Sequence, residues 1–150
     1  MIFVQRSKPI DPAFQSLVAE LDEGLRNQYG AKQSQYDIHN KGLEGASVVI
    51  AINQDKPVGC GCFKALEQAD MVELKRMYIQ PASRRLGIAQ QLLAELEQWA
   101  KEKGYTKTRL QTANKQPEAI ALYRKCGYQP IANYGPYVGD EDSVCMEKQL

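Results

Sequence analysis

Apolar residues recur along the chain with a helical spacing in three segments. This spacing covers 11–30, 88–104 and 117–127, and each segment ends at a glycine, the residue type most favoured just after a helix. In the second segment, Glu97 and Lys101 are four residues apart in the order that stabilises a helix, so we expect an ion pair. The pattern therefore predicts three helices.

Six further segments are rich in β-branched or alternating apolar residues, which is typical of strands. They cover 47–53, 58–66, 71–80, 106–112, 128–132 and 143–148. The first three follow one another across short turns and predict an antiparallel meander, while 31–45 is polar and predicts a loop with room for a short helix. Strands and helices alternate after the meander, so residues 1–150 are predicted to form one α/β domain with a mixed sheet.

Composition and charge exclude several classes of protein. The 150 residues are 43% hydrophobic and 25% charged, which excludes a disordered tail and a disulfide-stapled miniprotein. Nineteen basic and eighteen acidic residues leave a formal net charge of +1, which argues against a nucleic-acid partner, although a local basic patch stays open. No apolar run approaches the roughly 20 residues that cross a bilayer, so we expect no membrane partner and a cytoplasmic location.

Cysteine and histidine usage predicts no metal site. Cys60 and Cys62 are two residues apart, Cys126 and Cys145 stand alone, and His39 is the only histidine in the chain. Zinc sites require clustered ligands at set spacings, and a catalytic cysteine would need a histidine partner. We therefore expect buried, reduced thiols.

The segment 81–89 carries the clearest chemical signal, because it joins a predicted strand to the start of a long helix. The first turn of a helix leaves backbone N–H groups without acceptors and carries partial positive charge. Gly87 lets a ligand approach the backbone, Ala89 keeps the next turn open, and Arg84 and Arg85 add charge. These features predict an anion site, most simply for a pyrophosphate. The alternative is a solvated turn before a helix.

Other phosphate-binding motifs fit the chain less well. It has no G-x-x-x-x-G-K-[ST] sequence, and Gly59-Cys60-Gly61 lacks the third glycine and the following helix of a dinucleotide-binding fingerprint. We interpret this glycine pair as a bulge or a close backbone contact within the meander.

Three segments together resemble the Gcn5-related N-acetyltransferase (GNAT) superfamily. Arg84-Arg85-Leu86-Gly87-Ile88-Ala89 resembles the family's Q/R-x-x-G-x-G/A signature, with Ala89 in place of the commoner glycine. The strand 72–79 resembles the one that precedes this signature, and 114–128 resembles the family's second cofactor segment. The resemblance covers roughly 46–132, and residues before it match only in helix placement.

The resemblance implies a fold and a cosubstrate. The fold is a central mixed, mostly antiparallel sheet of about seven strands flanked by helices, with strands four and five splayed apart. The cosubstrate is acetyl-CoA, without a metal. Its pyrophosphate would be bound by the backbone of Arg84, Arg85, Leu86, Gly87, Ile88 and Ala89. Its pantetheine arm would pair with the backbone of Met77, Tyr78 and Ile79, one of whose N–H groups would polarise the thioester carbonyl.

The resemblance also assigns roles to three side chains. An amine attacks a thioester only when neutral, so the reaction needs a proton acceptor, and Glu73 occupies the strand position of the family's base. Tyr123 occupies the helix position from which a phenol protonates the departing thiolate, and Asn114 would contact the pantetheine or the acceptor. The alternatives are a Glu73 that faces solvent or pairs with Lys75, a Tyr123 that only fills the core, and a turn-forming Asn114.

The implied function is transfer of an acetyl group from acetyl-CoA to the primary amine of a small molecule, by direct attack in a ternary complex. A protein or peptide N-acetyltransferase and a non-catalytic acyl-CoA-binding sensor are the alternatives, and a homodimer is compatible with such folds. Tyr29, Tyr36, Tyr134 and Tyr137 are candidates to line the acceptor pocket, and 140–142 is a candidate to attract a cationic amine. Loop and turn chemistry explains each of them equally well.

Overall fold

A computed structural model describes residues 1–29, 42–68 and 70–150 of the protein. The predictions made for Gly30, Tyr36 and His39 lie outside these ranges, as do most of the loop 31–45 and the side chain of Tyr29. Within the described ranges, the chain forms seven strands and three α-helices.

The three helices lie where the apolar spacing predicts them. They are α1 (Pro12–Tyr29), α2 (Ile88–Glu102) and α3 (Pro117–Lys125). Asp11 caps α1, because its Oδ1 atom accepts the Ala13 N–H at 2.9 Å. Gly104 and Gly127 follow α2 and α3 with φ values of +93° and +99°, a left-handed conformation that favours glycine. Both helices therefore end at the glycines that predicted their ends.

The strands form a single mixed sheet. They are β1 (Ile2–Ser7), β2 (Ser47–Asn53), β3 (Lys56–Ala65), β4 (Met71–Ile79), β5 (Lys107–Ala113), β6 (Gln129–Ile131) and β7 (Ser143–Gln149). Their order is β1-β2-β3-β4-β5-β7-β6. β4 pairs in parallel with β5, whereas the pairs β1–β2, β2–β3, β5–β7 and β6–β7 are antiparallel. The predicted fold class is confirmed, although β1 was not among the predicted strands.

The parallel pairing between β4 and β5 is short. It joins residues 71–73 of β4 to residues 107–109 of β5, although β4 continues to Ile79 and β5 to Ala113. This register agrees with the implied separation of strands four and five. In the described part of the chain, the backbone of β4 after Glu73 therefore has an edge that β5 does not use.

The chain divides into two compact units. The first consists of Met1–Lys64 and Lys75–Leu96, and the second of Ala65–Leu74 and Glu97–Leu150. The core of the first unit contains Phe14 and Leu17 of α1 and buried residues of β2 and β3. In the second unit, the buried residues include Thr108, Leu110, Tyr123, Tyr128 and Met146.

The predicted ion pair between Glu97 and Lys101 is wrong. Glu97 instead accepts hydrogen bonds from Lys148 Nζ at 2.8 Å and from the Tyr128 hydroxyl at 2.9 Å. Both partners are distant in sequence. A carboxylate that is 14% exposed gains more from such part-buried donors than from an exposed lysine on its own helix.

The cysteines are free thiols, as predicted, but they are not all buried. Cys60, Cys62 and Cys145 are buried, whereas Cys126 is only half-buried. Burial raises the pKa of the Cys60 thiol far above its usual range, and the nearby Cys62 adds to this effect. Cys60 is therefore protonated and unreactive at neutral pH.

Candidate active site

The loop that follows β4, in the first unit, is held in place by hydrogen bonds at both ends. The Gln80 N–H donates to the Val58 carbonyl of β3 at 2.8 Å, and one turn of 3₁₀ helix follows. Arg84 then folds back, since its Nε donates to the Ile79 carbonyl at 2.9 Å and its guanidinium lies 5.9 Å from the centre of the Tyr78 ring. These contacts fix the path of the chain into α2.

The chain next presents a row of backbone N–H groups at the start of α2. Arg85 and Gly87 have φ values of +67° and +77°, so the backbone passes twice through the left-handed region. The N–H groups of residues 85–90 find no acceptor among the described residues, whereas Gln91 donates to the Gly87 carbonyl at 3.2 Å. Clustered donors at a helix N-terminus attract anions. The structure thus supports the anion site over a merely solvated turn.

The side chains of this segment leave its backbone accessible. Arg85 is exposed, Leu86 is 55% exposed, and Ile88 turns into the core. Gly87 has no side chain, and a β-carbon there would approach Gln90 Oε1 to 3.4 Å. Residues 84–89 are therefore brought together, with backbone donors that the described residues leave free from residue 85 onward and two arginine side chains beside them, a donor set that fits the two phosphates of coenzyme A.

The last residues of β4 pack closely against two glycines of β3. A β-carbon on Gly59 would meet Ile79 Cδ1 at 2.8 Å, and one on Gly61 would overlap the Met77 sulfur. The interpretation of this glycine pair as a close contact is confirmed. Tyr78 lies between Met77 and Ile79 in sequence and points to the opposite face of the sheet, where it contacts α1.

Glu20 of α1 is a residue of this region that the sequence analysis missed. Its carboxylate accepts hydrogen bonds from the Tyr78 hydroxyl at 3.1 Å and from Gln80 Nε2 at 3.2 Å. Burial raises the pKa of Tyr78, and the hydrogen bond to Glu20 adds to the increase. Nothing local distinguishes Glu20 from the other acidic residues of α1, so only the folded chain reveals that it holds the end of β4.

In the second unit, Glu73 lies in a buried cluster with two tyrosines. Glu73 is 6% exposed, and its Oε2 accepts the Tyr134 hydroxyl at 2.5 Å. Tyr137 lies close enough to Glu73 for that carboxylate to raise its pKa, and the two tyrosine rings meet edge to face at 5.6 Å between centroids. A solvent-facing Glu73 is thereby excluded. The fold joins two of the candidate acceptor-pocket tyrosines to the candidate base.

The two phenols are held in their protonated form. Burial raises the pKa of Tyr134 and of Tyr137 far above the usual range, and the negative charge of Glu73 raises both further. At neutral pH both hydroxyls therefore keep their protons, and that of Tyr134 donates to the Glu73 carboxylate.

Arg109 of β5 completes this cluster, although the sequence analysis did not single it out. Its guanidinium lies 5.0 Å from the centre of the Tyr134 ring, and its Nε lies 3.5 Å from Glu147 Oε2. Lys107 Nζ lies 3.3 Å from Glu147 Oε1. The sequence did carry a signal for this residue. Lys107 and Arg109 alternate with Thr108 and Leu110, which are buried in the fold, so the two basic side chains lie on the polar face of the strand.

Tyr123 of α3 is buried but lacks a hydrogen-bond partner for its hydroxyl among the described residues. Desolvation raises the pKa of Tyr123 to about 12, with a smaller effect of Cys126. Its ring meets that of Tyr128 edge to face at 5.9 Å. The Tyr128 hydroxyl, in contrast, contacts Thr108 Oγ1 at 2.8 Å as well as Glu97. A tyrosine with a purely structural role would be expected to resemble Tyr128, whose hydroxyl is satisfied.

Asn114 and the segment 140–142 take part in turn structure. Asn114 donates from Nδ2 to the Glu141 carbonyl at 3.4 Å and from its N–H to the Asp142 carbonyl at 2.8 Å. The Asp140 carboxylate accepts the Ser143 hydroxyl at 2.9 Å and the Asp142 N–H at 3.0 Å. These contacts favour the turn alternative for both, and a contact of Asn114 with the pantetheine or the acceptor stays a prediction.

Two features are absent from the described ranges. No group of three or more His, Cys, Asp or Glu side chains there is arranged to hold a metal ion. No helix in these ranges combines the length and the apolar character of a membrane span.

The sheet and the loop after β4 define a class of acyl-transferring enzymes, and comparisons with known proteins agree. Residues 14–128 match the model of the acetyltransferase (GNAT) family. The chain is 32% identical over 150 residues to the IAA acetyltransferase of Azospirillum brasilense, covering 99% of this chain and 98% of that protein. A proposed acyl-CoA N-acyltransferase from Klebsiella pneumoniae has a crystal structure that is similar over 100% of this chain and 98% of its own, with a TM-score of 0.82 and 33% identity.

A more distant structural neighbour shares the fold. The PaiA N-acetyltransferase of Thermoplasma acidophilum, solved in complex with coenzyme A, is 18% identical, with a TM-score of 0.72 over 100% of this chain and 99% of its own. The chain belongs to the GNAT acetyltransferase family and is an acyltransferase. The resemblance found in its three sequence segments is confirmed.

Proposed function

We propose that the protein transfers the acetyl group of acetyl-CoA to the primary amine of a small molecule, by direct attack within a ternary complex. The observation that carries this proposal is the buried Glu73 carboxylate, which accepts the Tyr134 hydroxyl at 2.5 Å. A buried carboxylate surrounded by aromatic rings suits a cationic amine, because it offers both an ion pair and cation–π contacts.

Acetyl-CoA supplies the activated acetyl group, and the first unit offers the groups to hold it. We assign its two phosphates to the backbone of residues 84–89, where the N–H groups of 85–89 lack other acceptors among the described residues. We assign its pantetheine arm to the backbone of Met77, Tyr78 and Ile79, on the edge of β4 that β5 does not use. One of these N–H groups would polarise the thioester carbonyl.

Two side chains of the second unit would move the protons. Glu73 takes a proton from the ammonium form of the acceptor, directly or through water, so that the neutral amine can form the new C–N bond. As the C–S bond breaks, Tyr123 donates its proton to the departing sulfur, and its phenolate regains a proton from the nitrogen that becomes the amide. The raised pKa of Tyr123, about 12 because of desolvation, supports this role by keeping the phenol protonated until that step.

The alternatives differ in what they require of the Glu73 cluster. A peptide or protein acceptor needs an open groove, whereas Tyr134 and Tyr137 enclose Glu73 closely, which favours a small molecule. A non-catalytic acyl-CoA sensor needs neither a base nor an acid.

We also propose that residues 1–150 act as one N-acetyltransferase domain. A family match that runs through both units supports this. A cytoplasmic location and a homodimer stay predictions from the sequence.

Initial-rate kinetics test the proposal. A panel of small primary amines is assayed with acetyl-CoA by thiol release, and both substrates are varied. A ternary complex gives intersecting double-reciprocal lines, whereas an acetyl-enzyme would give parallel ones. Glu73→Gln should lower kcat/KM by about 10²-fold or more at pH 7, while the exposed control Glu67→Gln leaves it unchanged. Saturable acetyl-CoA binding without turnover of any amine or peptide would replace the proposal by the sensor.

A further inference from the structure

We infer that the acceptor carries a carboxylate as well as an amine, and that Arg109 is the residue that binds this carboxylate. The inference rests on the proposed function, because it concerns the acceptor of the same reaction. It names the substrate class as a compact zwitterion, of which an amino acid is the simplest example.

Two opposite charges lie at adjacent positions of the sheet. Glu73 of β4 and Arg109 of β5 are direct partners in the parallel register. Partners on neighbouring strands place their side chains on the same face, about 4.8 Å apart at the backbone. An acidic and a basic side chain therefore start from adjacent points on one face within the second unit.

One tyrosine, Tyr134, contacts both charges. Tyr134 donates its hydroxyl to Glu73 at 2.5 Å, and the face of its ring lies 5.0 Å from the Arg109 guanidinium. The guanidinium pairs with Glu147, at 3.5 Å, rather than with Glu73. One charge thus meets the hydroxyl of Tyr134 and the other meets its ring, an arrangement that suits a ligand carrying both signs.

The Arg109 guanidinium has N–H donors that the described residues do not use. Its Nε is buried without a hydrogen-bond partner, and among the described residues its other nitrogens have none either. The terminal nitrogens, unlike Nε, are not buried, so a ligand can reach them although the side chain as a whole is only 19% exposed. A guanidinium in such a place matches a carboxylate, which it binds with two parallel hydrogen bonds.

Two cations, Lys107 and Arg109, share one carboxylate on this face of the sheet. Glu147 serves two cations, since Lys107 lies 3.3 Å and Arg109 3.5 Å from its two oxygens. One positive charge of this trio is therefore not compensated within it. A ligand carboxylate would supply the missing charge, while its ammonium group would meet the Glu73 carboxylate on the same face of the sheet.

Matched substrate pairs test the inference in the wild-type enzyme. Each amino acid of a panel is compared with the amine formed by loss of its carboxylate, for example lysine with cadaverine and phenylalanine with phenethylamine. We expect at least a tenfold higher kcat/KM for the best amino acid than for its amine. Equal turnover of the two members of a pair would overturn the inference and leave the proposed function intact.

Variants at Arg109 give the second arm. Arg109→Gln should raise KM for the amino acid at least tenfold and change the rate with the decarboxylated amine less than twofold. Arg124→Gln, which removes the same type of side chain from an exposed position of α3, is the matched control and should change neither. An Arg109→Gln enzyme that loses both substrates equally would contradict a role in carboxylate recognition.

A binding measurement separates the inference from catalysis. Phenylpropionate and similar carboxylates without an amine should bind to the wild type in a calorimetric titration and bind at least tenfold more weakly to Arg109→Gln. If carboxylates bind in this way but nothing is acetylated, the proposed function fails and the carboxylate site stands. If Arg109→Gln does not fold, the substrate pairs and the carboxylate titration of the wild type still decide, because absence of binding overturns the site.

Discussion

The Met77 side chain lies against the bare α-carbon of Gly61, where its sulfur fills the space that a β-carbon would need. Leu96 Cδ1 borders the same space, at 3.2 Å from the position of that β-carbon. The fit between a strand glycine and a methionine of the neighbouring strand therefore sets how closely β3 and β4 pack. It also fixes one of the three residues to which we assign the pantetheine.

Gly61→Ala should lower the free energy of unfolding by about 1–3 kcal/mol, because the added methyl group displaces Met77 in a packed core. It should also raise KM for acetyl-CoA, since β4 must shift. Gly24→Ala is the control: nothing lies within 4 Å of a β-carbon there, and alanine in a helix should stabilise by about 0.5–1 kcal/mol. Denaturant unfolding and initial rates measure both effects, and an unchanged Gly61→Ala enzyme would contradict the packing argument.

Gly87→Glu should abolish binding of acetyl-CoA, because it places a carboxylate among the N–H groups assigned to the phosphates. Gly104→Glu is matched in backbone strain, since the two glycines have φ values of +77° and +93° and flank the same helix. Each substitution costs roughly 1–2 kcal/mol of stability for a side chain in this conformation. Calorimetric titration should find binding lost only at position 87, and loss in both variants would make the effect structural.

Tyr123→Phe should reduce kcat by about 10²-fold or more and leave the affinity for acetyl-CoA almost unchanged. The hydroxyl that is lost has no partner in the described part of the chain, so the fold should tolerate its removal. Tyr128→Phe is the opposite case, because it deprives Glu97 and Thr108 of a partner. It should cost about 1–3 kcal/mol of stability with little effect on kcat. Full activity of Tyr123→Phe would remove Tyr123 from the mechanism.

Tyr123 should also leave a signature in the alkaline stability of the protein. Burial raises its pKa from 10.0 to about 12, so the folded state holds the phenolic proton more tightly than the unfolded chain does. Its contribution to stability is therefore complete below pH 10 and is lost as the pH rises to 12. Over this window the wild type should lose roughly 3 kcal/mol more than Tyr123→Phe. Parallel stability curves for the two proteins would refute the shift.

The apolar pattern of the sequence predicted the helices and strands whose apolar residues face a core. It missed β1, in which an aromatic residue faces outward. In β1, Ile2 and Val4 are half-buried, but Phe3 is 60% exposed between them. An aromatic residue on the outer face removes the alternation by which a strand is recognised. Only pairing with β2, from Ile2 opposite Asn53 onwards, defines β1.

The candidate site likewise combines residues that are close in sequence with residues that are distant in sequence. The anion loop is local, since six consecutive residues and the helix that follows suffice to predict it. The cluster at Glu73 is not, because Tyr134 reaches it from 61 residues away and the two are brought together only by the fold. The error at Glu97 has the same origin, since Lys148, its actual partner, is 51 residues distant.

The left-handed backbone at Arg76 interrupts the edge of β4 that β5 leaves unused. A strand edge with unused N–H and C=O groups can recruit strands from other molecules, and in the described structure β5 leaves such an edge on β4 after Glu73. Arg76 has a φ of +59°, and its ion pair with Asp22 keeps it there, so the extended run after it is only three residues long. Because strands usually span about 5–6 residues, this edge offers a foreign strand fewer pairing positions than an uninterrupted strand would. The same interruption would leave a stretch of edge whose length suits the short extended ligand that we propose to bind there.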